Sequence, residues 1–220
     1  MEHQIKTIPE NKELLSNHRI EALNDGVFAI VMTIIILGID PPKLSPSDES
    51  HNLLFSKLFD LLPQLESYII SFLVLGLYWT RHQLQFKDIK YSDRKLLWIN
   101  IFFLMFVGFI PFSTNLVMDY IDHKASVLIY CGNLMIIGFV LYYHWIYASK
   151  NYRLVDRGLD PKYIADVSKV LLIAPLIFII SMALSFISPR TSMYTAYTVP
   201  FIFLISRRVY KKWKEHPEKK

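Results

Sequence analysis

Cysteine is almost missing from this 220-residue chain. Cys131 stands alone inside an apolar stretch, which excludes a disulfide framework and a zinc site and reads as a small buried apolar residue. Glycine is scarce too: seven residues, scattered singly, so no loop cradles a phosphate. No His-Glu-x-x-His pair occurs on any helical stretch. Nothing in the pattern supports a hydrolase or an oxidoreductase, so the chain is expected to be no enzyme and to need no cofactor. The first twenty residues are polar, and no cleavable signal peptide is expected there. The Thr-Val-Gly-Tyr-Gly filter is absent. No span carries an arginine at every third position, so a voltage sensor is not evident.

What the chain has in quantity is apolar sequence, 53% hydrophobic residues and 15% aromatic. That is too apolar for an ordinary soluble domain and fits an all-α polytopic membrane protein. Six segments are long enough to cross a bilayer at roughly 20 residues each. They lie near Ala22–Asp40, Leu61–Gln85, Leu96–Asp119, Ser126–Ser149, Tyr163–Ile187 and Ser192–Arg208. Leu53 to Leu62 reads as a short amphipathic piece ahead of the second. Pro111, Pro175 and Pro200 fall inside spans, where a kink is expected. The Pro41-Pro42 pair and Pro46 end the first span and open the longest outer loop. No convincing internal repeat is present.

Lysine and arginine set the orientation. Nineteen fall in the N-terminal arm, the second and fourth loops and the C-terminal tail. Four fall on the other side: Lys43, Lys57, Lys124 and Arg190. This bias places both termini in the cytoplasm and the chain in the cell membrane. It also accounts for the formal charge of +5 without nucleic acid. The expected layout is a cytoplasmic arm over 1–20, a membrane domain over 21–208 and a basic tail over 209–220. The tail suits anionic lipid headgroups, although a solvated tail is equally ordinary. Tyr78, Trp79, Trp98, Trp145 and Trp213 lie near span ends, as aromatic belts do.

The first span holds the most informative pattern. Leu23, Gly26, Ile30, Thr33 and Leu37 are spaced by three and four, so they share one face of a helix. Asp25 lies roughly 140° from Ile30 at ~100° per residue, toward the rest of the bundle. If several subunits set this stripe around an axis, Ile30, Ile34 and Leu37 form apolar constrictions that gate by dewetting. Thr33 then adds a ring of hydroxyls that partly replaces a cation's hydration water. The plainer alternative is a helix packing its smoother face in a bundle, with Thr33 bonded back to a carbonyl one turn earlier. His82 and His144 read more simply as structural histidines than as metal ligands or proton relays. Asn133 and His144 share a helix face, and a helix–helix hydrogen bond is the plain account of each.

The residues also carry a resemblance. Arg19-Ile20-Glu21-Ala22-Leu23-Asn24-Asp25 resembles the Arg-x-x-x-Phe-Ser-Asp signature of the transmembrane protein 175 family, the endosomal/lysosomal potassium channels and their bacterial relatives. Arginine and aspartate match; Leu23 and Asn24 depart. Gly26-Val27-Phe28-Ala29-Ile30, Tyr78-Trp79-x-x-His82, and Asn100-x-x-x-Leu104-x-Phe106 followed by Pro111-Phe112 are similar as well. The resemblance implies a homotetramer, one six-helix unit per chain, with the first helix lining a central pore for potassium. It implies constrictions at Ile30, Ile34 and Leu37 and a hydroxyl layer at Thr33. It further implies a structural polar network behind the pore helix: Arg19, Asp25, Trp79, His82 and Asn100. The reading is therefore a potassium-permeable channel with potassium as permeant and no bound metal. The alternatives are a proton-coupled secondary transporter using Asp25 and His82, and a non-catalytic membrane scaffold.

Overall fold

The computed structural model describes residues 17–43 and 51–214, and the side chains within them except those of residues 51–52 and 203–214. The arm before Asn17, the stretch 44–50 with Pro46 and the tail beyond Lys214 lie outside the described residues. So do the side chains of Arg207, Arg208, Lys211, Lys212, Trp213 and Lys214.

Helices form wherever the sequence runs apolar, and specific residues start and stop them. Helix α1 spans Asn17–Ile34 and tightens into a 3-10 turn over Ile35–Gly38. The turn gives way to extended backbone at Ile39. Pro41 and Pro42 follow, and proline cannot continue the ladder. Helix α2 (His51–Asp60) meets α3 (Leu62–Asp88) at a 42° bend. Pro63 sits in the first turn of α3, where its missing N–H costs nothing. Helix α4 (Arg94–Gly108) is capped by Asp93, whose carboxylate accepts the Leu96 N–H at 2.9 Å. Helix α5 (Ile110–Asp119) follows a break at Phe109. Pro111 explains the break, since it cannot donate to the carbonyl one turn back. Helices α6 (Lys124–Ser149), α7 (Pro161–Leu184) and α8 (Pro189–Lys214) complete the order. Asp160 caps α7 by accepting the Lys162 N–H at 2.7 Å.

The fold is all-helical; among the described residues there are isolated bridge positions, Ile89 paired with Val155 among them, and no strand. Helix α6 is the central post, packed against α4, α5, α7 and α8. Its Trp145 and Tyr130 are fully buried, as are Phe28 of α1, Phe103 of α4 and Phe178 of α7, all in one apolar core. Gly138 lets α7 close in, because a Cβ there would stand 2.9 Å from Pro175 Cδ. Cys131 is buried, its sulfur 3.4 Å from the Ser181 hydroxyl.

Among the described residues, four runs are long and apolar enough to cross a membrane: Asn17–Gly38, Arg94–Asp119, Lys124–Tyr152 and Pro161–Leu184. The bent pair Leu53–Asp60 and Leu62–Asp88 makes a fifth when taken as one crossing. The sixth expected segment, Ser192–Arg208, lies in α8 and is not among them.

Candidate pore helix and its polar anchor

Helix α1 has two faces of opposite character. Ile20, Asn24, Phe28, Val31 and Ile35 are buried against the bundle. They are spaced by four, four, three and four, so they line one side of the helix. The other side is open and apolar: Ile30 is 59% exposed, Ile34 42% and Leu37 75%. Thr33 and Gly26 share that open side. The chain thus leaves large side chains of its first helix uncovered, on the side where the stripe read from spacing lies.

Two details differ from a uniform helix through Asp40. The turn at Ile35–Gly38 is 3-10, so residues three apart eclipse and Leu37 stands nearly above Ile34. The Thr33 hydroxyl donates back along its own helix, 2.8 Å from the Ile30 carbonyl and 3.0 Å from that of Ala29. The bond back to the helix expected of the plainer alternative is therefore present. It occupies the proton and leaves the oxygen's lone pairs on the open face.

The C-terminal end of α1 meets α5 at a close approach. Gly38 faces the Asn115 side chain so tightly that a Cβ would overlap its amide. Asn115 Oδ1 is buried and has no hydrogen-bond partner, so this contact is one of shape.

Behind the open face lies a buried polar ring. Asn100 Nδ2 donates to Asn24 Oδ1 at 2.9 Å. His82 Nε2 lies 2.9 Å from Asn100 Oδ1 and 3.0 Å from Asn24 Nδ2. The amide carbonyl of Asn100 only accepts, so the consistent assignment has His82 Nε2–H donating to it, which leaves His82 Nδ1, 3.4 Å from Asn24 Nδ2, as the acceptor for that amide. Helices α1, α3 and α4 are joined at this one point. Phe103 stacks on the His82 ring with centroids 5.2 Å apart, which excludes competing water.

The expected polar set is thus divided. His82 and Asn100 pair with Asn24, the residue that read as a departure from the signature. Asp25 joins a separate group: its carboxylate accepts from Trp79 Nε1 at 2.8 Å and from Gln83 Nε2 at 2.5 Å. Trp79 and Gln83 are four apart on α3 and so present one edge to the acid. Arg19 is exposed on α1 and takes no part in either group. Sequence reasoning passed over Gln83 because a glutamine near a helix end carries no local signal. It also passed over Gln85, whose Oε1 accepts from His144 Nδ1 at 2.7 Å while its Nε2 donates to the Leu141 carbonyl. The His144 ring lies 5.6 Å from that of His82. Asn133 bonds instead to the Ser113 hydroxyl of α5, so it and His144 serve different contacts. Among the described residues, no cluster of three or more acids, histidines or cysteines is set to hold a metal.

Comparison with known proteins places this geometry. The sequence profile described as endosomal/lysosomal potassium channel TMEM175 matches residues 19–111, from Arg19 through Pro111. A protein named as a potassium channel in Streptomyces collinus is 31% identical over 146 residues, 64% of this chain and 69% of that one. The chain belongs to the TMEM175 family. A second TMEM175 relative, named as a potassium channel in Chamaesiphon minutus, is 29% identical over 200 residues. That match covers 90% of this chain and 96% of the relative. A crystal structure described as a lysosomal potassium-selective channel TMEM175 homolog from Chamaesiphon minutus superposes with a TM-score of 0.73 at 27% identity. It covers 86% of this chain and 96% of that one. The fold is therefore that of a TMEM175 channel, and the family is one of ion channels, not enzymes.

Proposed function

We propose that this chain is one subunit of a potassium-permeable cation channel in the cell membrane. Four copies surround an axis, and the open face of α1 lines it. The observation that carries this reading is the uncovered apolar face itself. Ile30, Ile34 and Leu37 are large, exposed and aligned on a helix whose other face is fixed in the bundle. A lone hydroxyl, Thr33, sits among them. Such a face, repeated around an axis, makes apolar rings that stop ions when dry and pass them when wet. Potassium moves down its electrochemical gradient, with no catalytic step.

The remaining assignments follow the same reading. The chain crosses the bilayer six times, with α8 as the last crossing. The arm over 1–20 and the tail over 209–220 are cytoplasmic, and the basic tail rests on anionic headgroups. Asp25, Trp79, His82 and Asn100 hold the pore helix from behind. A carrier built on Asp25 and His82 loses support, because the two side chains hold different partners.

Ion flux into liposomes containing the purified chain tests the proposal. Potassium is expected to pass faster than sodium, and flux no greater than in empty liposomes would refute it. Subunit counting by native mass spectrometry is expected to give four.

A further inference from the structure

The buried face of α1 begins with a second polar anchor, two turns before Asn24. Asn17, the first residue of the helix, donates from Nδ2 to the Ile89 carbonyl at 2.8 Å. Its Oδ1 accepts from the Ser92 hydroxyl at 2.5 Å. Both partners sit in the turn between α3 and α4, and both are buried.

That turn is held from its far side as well. The Leu154 carbonyl accepts from the N–H of Lys90 at 2.8 Å and of Tyr91 at 3.3 Å. The loop that delivers Leu154 leaves α6 through Asn151 and Tyr152, both left-handed, with φ of 55° and 53°. Asparagine adopts that region readily and tyrosine does not, so the surrounding contacts impose the elbow. The acids at the two ends of the turn are also taken. Tyr163 of α7 donates to Asp88 at 2.8 Å, and Tyr147 of α6 donates to Asp93 at 2.7 Å. The α3–α4 turn is therefore a fixed platform tied to α6, α7 and the loop between them.

We infer that Asn17 is a positioning residue for permeation: it clamps the inner end of the pore helix to this platform. Through it the α6–α7 loop biases the balance between conducting and non-conducting states. The inference rests on the reading of α1 as the pore helix. Ile30 lies roughly 20 Å along the axis from Asn17 at ~1.5 Å per residue, on the other face. The clamp touches no permeating ion, so it governs how often the pore conducts and not what passes.

Single-channel recording of the reconstituted full chain in planar bilayers tests this. Asn17→Ala and Ser92→Ala are each expected to change the open-to-closed ratio by about three- to tenfold, the shift that one or two hydrogen bonds correspond to. Unitary potassium current and the potassium-to-sodium permeability ratio stay as in the unsubstituted channel. The two residues share a bond, so the double variant is expected to match Asn17→Ala and not the product of the two effects. Ser92→Ala removes one hydroxyl only, and it carries the test if Asn17→Ala does not assemble. An unchanged open-to-closed ratio overturns the inference and leaves the pore reading standing, as does a permeability ratio altered by either variant. If the unsubstituted protein passes no current, the pore reading fails and the inference falls with it.

Discussion

The two faces of α1 differ in what is left uncovered. Its inward face is Ile20, Phe28, Val31 and Ile35 interrupted by asparagine: Asn17 and Asn24 both find partners inside the bundle. Its outward face carries isoleucine and leucine. Hydrocarbon offers no hydrogen bonds, so side chains such as Asn24 must be satisfied by protein. The lesson is that the asparagines of this helix mark attachment, while the isoleucines and leucine opposite are left free for a neighbour, a lipid or a hydrated ion.

The contrast breaks most severely on the inward face. Phe28→Ala empties a site that is 1% exposed, where the ring lies tilted against Phe103 with centroids 5.9 Å apart. A loss of about 3–5 kcal/mol is expected for such a truncation, measured as thermal unfolding in detergent. Asn24→Leu keeps the volume but strands His82 and Asn100, and roughly 1–3 kcal/mol should be lost in the same assay. Stability equal to the unsubstituted chain would show that the ring is dispensable.

On the outward face the expected signature is the reverse. Ile30→Asn should leave unfolding unchanged, because the side chain touches little of its own subunit. Under the proposed function it wets the constriction and lowers the potassium-to-sodium permeability ratio; an unchanged ratio would remove Ile30 from the pore wall. Gly38→Ala sits between the two regimes. Its new methyl overlaps Asn115, so unfolding is expected at lower temperature, with recovery when Asn115→Ala is added. No recovery would mean the strain lies elsewhere.

The smallest effect belongs far from α1, at the exposed pair that ties the α5–α6 turn to α8. Arg190 grips Asp122 through two bonds of 2.6 and 2.9 Å. The hydrogen bond from Arg190 holds the Asp122 carboxyl below its ordinary value of 3.8. A depressed carboxyl contributes stability above that ordinary value and loses it as pH falls through the folded one. Arg190→Ala should therefore lower stability slightly at neutral pH, and the difference should vanish in strong acid. Being largely exposed, the pair is weak, and a difference that persists in acid would count against it.

Much of this architecture is legible in the residues. Apolar runs locate the helices, and spacing by three and four separates the faces of the first one. Asp25 reads as pointing away from Ile30, and its carboxylate does meet α3. The partners themselves are not legible. Asn24 meets His82 and Asn100 across 58 and 76 positions, and Asn17 meets Ile89 across 72. Helical periodicity says which side a residue faces, not what stands opposite. Asn24 stands where the family signature has serine, and its longer amide bridges two neighbours at once. The 3-10 turn at Ile35 is also silent in sequence, because Ile-Ile-Leu-Gly suits either winding.

That turn has a mechanical consequence. A 3-10 segment rises ~2.0 Å per residue against ~1.5 Å for an α-helix. The four residues Ile35–Gly38 are thus about 2 Å longer than the same residues wound as α-helix. Rewinding them would shorten the rod and swing Leu37 about 60° out of line with Ile34. The end of this helix is built like a screw thread: about a sixth of a turn would change both the height and the bearing of its last large side chain, with Asn17 and Asn24 still seated.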